Sequence, residues 1–221
     1  MKTKQHITDS IISQGMLPLF FHADTQVSLD VVRALYRAGI RVIEYTNRGE
    51  AALENFKALK QLQQTELTDL LLGIGTIKTL QQANDYVAAG ADFIISPIVN
   101  PQVAQAAAEN GLMWIPGCMT PTEIHQATEY GASFVKLFPA NVLGPGFVSA
   151  VKELFFGIKM MPTGGVDMDA QNIASWFTAG VAAVGMGSKL ITRNVLDNKD
   201  YNQLYTDTLL TLQLVKQARN R

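Results

Sequence analysis

The stretch Tyr130-Gly131-Ala132-Ser133-Phe134-Val135-Lys136-Leu137-Phe138-Pro139 joins two signals, a glycine of the kind that follows a helix and then a short apolar run of strand length. The same order recurs along the chain. Gly39 precedes the run 41–45, Gly90 precedes 93–96, Gly111 precedes 113–116 and Gly180 precedes 182–186. The glycines stand roughly one or two βα units apart. With the apolar runs at 17–21, 70–74 and 159–162 this makes eight strands, each followed by helix-like sequence. Strands apolar on both faces, alternating with helices, predict a parallel sheet covered by helices. The natural closure is an α/β fold of the (β/α)8 TIM barrel type, and with no Pro- or Ser-rich linker the expectation is one domain over residues 1–221. The open doubly wound sheet is the alternative. Its dinucleotide fingerprint is missing, because Gly73-Ile74-Gly75 is followed by Lys78 where the third glycine would stand. Residues 201–218 carry Leu204, Leu209, Leu212 and Val215 near helical spacing and should pack outside the barrel.

Composition narrows the function classes. At 221 residues and 48% hydrophobic the chain can bury a full core. A net charge of −1 with no basic run argues against a nucleic-acid partner. Residues 1–14 lack the apolar segment of a signal peptide, and no apolar run reaches transmembrane length, so a cytoplasmic protein without a membrane partner is expected. The lone Cys118 excludes an internal disulfide and a cysteine-rich metal site. His6, His22 and His125 show no metal-ligand spacing, so no metal is expected.

Lys136 is the residue that asks for a chemical reason. Alternation puts Phe134, Lys136 and Phe138 on one strand face and Val135 and Leu137 on the other, both otherwise apolar. Desolvation disfavours an ammonium ion and favours the free amine that attacks carbonyls to form Schiff bases. The bland readings are a lysine reaching out from the strand end or a buried ion pair. Further polar residues fall at the same strand ends, where barrels keep their active sites. Glu44, sharing a face with Val42 and Thr46, would bring a carboxylate to the mouth that holds Lys136, either as a base or as an ion-pair partner. Arg48 can fork onto a planar carboxylate, and the Gly75-Thr76 turn offers N–H groups and a hydroxyl to the same group. Pro97 ends the fourth strand. Thr163-Gly164-Gly165 and Gly187-Ser188, ending strands seven and eight, suit a phosphate.

These residues carry a resemblance. The ordered motifs Ile43-Glu44-Tyr45-Thr46-Asn47-Arg48, Gly73-Ile74-Gly75-Thr76, Ser96-Pro97, Ile115-Pro116-Gly117, Val135-Lys136-Leu137-Phe138-Pro139-Ala140 and Pro162-Thr163-Gly164-Gly165 look like those of the 2-keto-3-deoxy-6-phosphogluconate / 4-hydroxy-2-oxoglutarate aldolase family. The match spans about residues 17–190. It implies a class I aldolase, needing no metal and no cofactor, on a barrel assembled as a homotrimer. Lys136 would form the Schiff base and Glu44 would shuttle protons. Arg48, Thr76 and Pro97 would surround the pyruvyl carboxylate, Phe138 would line the pocket, and Gly164, Gly165, Gly187 and Ser188 would hold a distal phosphate. The expected small-molecule substrate is a 2-keto-3-deoxy sugar acid, cleaved to pyruvate and an aldehyde such as glyceraldehyde 3-phosphate. A phosphosugar isomerase or epimerase and a non-catalytic ligand-binding barrel are the alternatives. Asn47, where the family pattern has an apolar residue, Ile98 after Ser96-Pro97, and Phe21-His22-Ala23-Asp24 at the end of strand one depart from that pattern.

Overall fold

Strand and helix alternate through residues 3–220, which the computed structural model describes. The strands are β1 Met16–Phe20, β2 Val42–Thr46, β3 Leu71–Gly75, β4 Phe93–Ile95, β5 Met113–Ile115, β6 Gly117–Cys118, β7 Phe134–Leu137, β8 Lys159–Pro162 and β9 Val184–Met186. The helices are α1 Lys4–Gln14, α2 Thr25–Arg37, α3 Ala52–Thr65, α4 Leu80–Ala88, α5 Pro101–Glu109, α6 Pro121–Glu129, α7 Ala140–Val151, α8 Ala170–Ala179, α9 Arg193–Asn198 and α10 Tyr201–Arg219. Short polar caps start most of them. Asp24, Thr79, Asn100, Thr120, Asp169 and Thr192 each accept a backbone N–H of the first turn, with Glu123 closing a capping box on Thr120. Each such cap stabilises its helix by about 1 kcal/mol. The glycines that mark the repeat, at 39, 90, 111, 131 and 180, all have positive φ and stop the preceding helix.

All pairings are parallel, in one sheet ordered β5-β4-β3-β2-β1-β9 and another ordered β6-β7-β8. Together they form a curled parallel sheet. The sequence count of eight strands is corrected in one place: the expected fifth strand is two segments, β5 and β6, because Pro116 has no N–H to give to the ladder. Its carbonyl is used, accepting the Lys136 N–H at 2.8 Å. Between β8 and β9 the link is the single bridge Thr163↔Gly185, supported by Ala182 N–H donating to the Met160 carbonyl at 2.9 Å.

Strand alternation sorts the core into two layers. Ile43, Tyr45, Leu72, Ile74, Ile94, Val135 and Leu137 face the helices, where they join Val31, Leu35, Phe56, Leu59 and Trp176. Val42, Leu71, Phe93, Ile95, Met113, Ile115, Phe134 and Met161 face inward and pack with Ile7 and Ile11 of α1. The helix α1 is absent from the sequence reading because only those two of its residues are buried, too few to give a periodic stripe. It covers the end where the strands begin, leaving their C-terminal ends for chemistry.

The helix expected over 201–218 is α10, packed on α8 and α2. Its buried face is Leu204, Thr208, Thr211, Val215 and Ala218, whereas Leu209 is exposed. Two threonines can be buried there because each hydroxyl donates to a carbonyl one turn back, Thr208 to Leu204 and Thr211 to Asp207. Among the described residues no helix is long and apolar enough to cross a membrane. Cys118 is buried, and burial pushes its thiol up to about 12. We therefore expect iodoacetamide at pH 8 to leave the folded protein unmodified and to add one equivalent after denaturation, read by intact mass. Fast labelling of the native protein would contradict the placement of Cys118.

Candidate active site

Two titratable groups lie buried on the inward face near the C-terminal ends of the strands. Lys136 of β7 is 5% exposed and Glu44 of β2 is 0% exposed, with Nζ 3.5 Å from Oε1. That distance is at the outer limit of a hydrogen bond, so the ammonium is balanced by the carboxylate without being clamped to it. Oε2 of Glu44 is buried and has no hydrogen-bond donor, which leaves it able to take a proton. The Lys136 Nζ also lies 5.5 Å from the centre of the Phe138 ring.

Glycine makes the room for this pair. A side chain at Gly75 would overlap the Glu44 carboxylate, and one at Gly73 would overlap the Phe93 ring. Gly73 pairs with Glu44 in the β2–β3 ladder, so the carboxylate stands above a floor that Phe93 fills. Directly after Gly75, Thr76 has φ 64. A β-branched residue in the left-handed region costs of order 1 kcal/mol, and such strain collects at functional sites. Pro97 lies against Gly117, whose missing side chain lets the two strand ends approach.

Beside the pair opens a cavity of about 320 Å³. Arg48, Phe138, Thr163, Gly164, Gly165, Gly187 and Ser188 line it, seven of the positions singled out in the sequence. Lys136, Glu44, Thr76 and Pro97 are not on its wall. Arg48 thus stands with the glycine turns. The sequence reading missed Phe21, Lys189 and Arg193, which also line the cavity. Lys189 is ion-paired to Asp167 at 3.0 Å, and Arg193 lies 3.6 Å from Asp197. Nothing local distinguishes these exposed cations from any other surface charge. Gly164 and Gly165 have φ 84 and 87, and Gly165 lies against Asn141, with 2.8 Å between the place of a Cβ and the Asn141 Cα. His22 is off the cavity wall, and its Nδ1 accepts the Asp24 N–H at 3.0 Å.

A larger cavity, about 770 Å³, lies between α1 and α10. Several of its polar groups are already engaged. Gln14 bonds Met16, Arg41 and Val42 of the backbone, Arg41 pairs with Asp69, and Arg219 donates to the Ser13 carbonyl.

A buried amine facing a buried carboxylate beside a cation-rimmed cavity is the equipment of imine chemistry on an anionic carbonyl compound. The model of the family "KDPG and KHG aldolase" matches residues 7–206. The chain belongs to that family. A 2-dehydro-3-deoxy-phosphogluconate aldolase of Treponema pallidum is 34% identical over 201 residues, covering 90% of this chain and 93% of the relative. The KHG/KDPG aldolase of Escherichia coli is 29% identical, with 99% of this chain and 100% of that protein covered. Among solved structures, a KDPG aldolase from Legionella pneumophila with pyruvate captured as a covalent carbinolamine is 27% identical, at a TM-score of 0.83 over 91% of this chain and 96% of that one. The aldolase family thus shares this fold over nearly the whole chain.

Proposed function

We propose that this protein is a class I aldolase that reversibly cleaves a 2-keto-3-deoxy sugar acid of the 6-phosphogluconate type into pyruvate and glyceraldehyde 3-phosphate. The observation that carries the reading is the buried Lys136 amine 3.5 Å from the Glu44 carboxylate. The amine adds to the C2 ketone, and loss of water from the carbinolamine gives a protonated imine. Glu44, directly or through water, takes the C4 hydroxyl proton as the C3–C4 bond breaks. The bonding electrons pass into the imine, the aldehyde leaves, and an enamine of pyruvate remains. Protonation at C3 and hydrolysis return the amine and release pyruvate. Arg48 and Thr76, with Pro97, orient the carboxylate so that the ketone meets Lys136, and Phe138 packs on the carbon chain. The deciding experiment is borohydride trapping with pyruvate followed by mass mapping of the adduct. Absence of any adduct would turn the reading towards an isomerase or epimerase.

For the distal phosphate, Thr163, Gly164, Gly165, Gly187 and Ser188 supply N–H groups and hydroxyls, and the cations on the cavity wall favour a dianion. Gly187 is the clean probe of this role. Its φ is ordinary, and a Cβ there would stand 3.6 Å from Leu19, whereas any side chain at Gly165 would press on Asn141. We expect Gly187→Ala to lower kcat/KM for the phosphorylated sugar acid by about tenfold or more while changing that for 4-hydroxy-2-oxoglutarate by less than about twofold. Equal losses on both substrates would make the turn scaffold only.

The same reading takes residues 1–221 as one domain and the curled sheet as a closed (β/α)8 barrel. Bonds across both seams support closure, from Lys136 N–H to the Pro116 carbonyl and from Ala182 N–H to the Met160 carbonyl. It takes the protein as a cytoplasmic homotrimer, for which the single buried Cys118 and the exposed Ile98, Met119 and Val142 give support. Sedimentation equilibrium tests the trimer.

A further inference from the structure

The loop that carries Arg48 is tied down behind the cavity by a hydrogen bond that the aldolase chemistry does not itself require. Asn47 N–H donates to the Gly75 carbonyl at 2.8 Å and Arg48 N–H to the Thr46 carbonyl at 2.9 Å. The side chain of Asn47 turns to α4, where the Tyr86 hydroxyl donates to its Oδ1 at 3.0 Å. Tyr86 is 2% exposed, its ring edge-on to Phe56 with centroids 5.2 Å apart. Burial raises its phenol well above the usual range, so it stays a donor at physiological pH. On the other flank Gly49, at φ 136, leaves room for the Phe21 ring, which would come within 3.0 Å of a Cβ. Arg48 itself is exposed and lines the cavity.

Two physical points give this arrangement meaning. A half-buried amide beside an apolar helix face costs free energy unless it is paired, and Tyr86 supplies the partner. A long, exposed arginine must give up rotamer freedom to hold a planar carboxylate with both N–H groups, so a fixed backbone under it lowers the cost of binding. We propose that Asn47 and Tyr86 are positioning residues for Arg48, holding its loop so that the guanidinium meets the pyruvyl carboxylate. The inference rests on the carboxylate role given to Arg48 above.

The test uses Tyr86→Phe and Asn47→Leu, alone and in an Arg48→Ala background. The first removes one hydroxyl and keeps the ring packing on Phe56, and thermal melts confirm that each variant is folded. The readouts are the pyruvate concentration that half-saturates borohydride trapping on Lys136, and kcat and KM for the sugar acid. Expected is about tenfold weaker pyruvate half-saturation in each single variant with kcat within about twofold, and no further loss when either is added to Arg48→Ala. A part that only held the fold together would weaken both backgrounds alike, and that result overturns the proposal. Unchanged half-saturation in both single variants, with Arg48→Ala weakened, overturns it too and leaves the role of Arg48 standing. Wild-type pyruvate binding by Arg48→Ala overturns the carboxylate role itself, and the proposal with it.

Discussion

Lys136→Met lowers turnover of the sugar acid by at least about 10⁴-fold and abolishes the borohydride-stable pyruvate adduct, as expected when the covalent electron sink is lost. Methionine matches the volume and shape of the lysine stem, so the packing of β7 survives. The buried Glu44 loses its cation, so a melting curve accompanies the assay, and the result counts on folded protein. Competing amines are few. Lys60 is also buried, but it lies on α3 with its Nζ 3.2 Å from Asp92, on the helix side of the sheet. Lys189 lines the cavity, yet it is exposed and paired with Asp167. Peptide mapping therefore has a sharp alternative: an adduct on Lys189, or an adduct in Lys136→Met as abundant as in wild type, would sink the assignment of the nucleophile.

Glu44→Gln slows cleavage by about 10²-fold or more while imine formation survives. Glutamine fits the space that Gly75 leaves open, so the change removes the base and keeps its outline. It also takes away the carboxylate charge 3.5 Å from the Lys136 Nζ while leaving the amine itself in place. The two steps should thus separate. Trapping with pyruvate continues, whereas exchange of the pyruvate methyl protons with deuterated water, which requires proton transfer at C3, falls in step with cleavage. Exchange and cleavage at the wild-type rate would make Glu44 a structural counter-charge and send the search for a base elsewhere.

The parts of the site that sequence reading found and those it missed differ in kind. Lys136 and Glu44 stood out because each breaks an apolar strand; alternation grouped Lys136 with Phe134 and Glu44 with Val42, and the structure turns both groups inward. Thr163, Gly164, Gly165, Gly187 and Ser188 were legible as turns at strand ends. Phe21, Lys189 and Arg193 were not, since an aromatic at a strand end and two exposed cations look the same whether or not a cavity lies beside them. Leu209 was grouped with Leu204, Leu212 and Val215 by helical spacing, but it is exposed, and α10 turns Thr208 and Thr211 inward with their hydroxyls satisfied within the helix.

What the sequence by itself determined is whatever a single segment can express: strand alternation, helix caps, glycine stops, and an order of motifs that marks the aldolase family. Such signals depend on the backbone preferences of neighbouring residues and need no knowledge of the rest of the chain. Only the tertiary structure decided that Glu44 and Lys136, 92 positions apart, come within 3.5 Å. It alone gave the space at Gly75 to the Glu44 carboxylate, pressed Gly165 against Asn141, split the fifth strand at Pro116 and tied Asn47 to Tyr86. Each of these depends on the register of one strand against another or on the seating of a helix over the sheet, and such contacts are selected by close packing between segments, where a shift of one residue would turn every side chain to the opposite face.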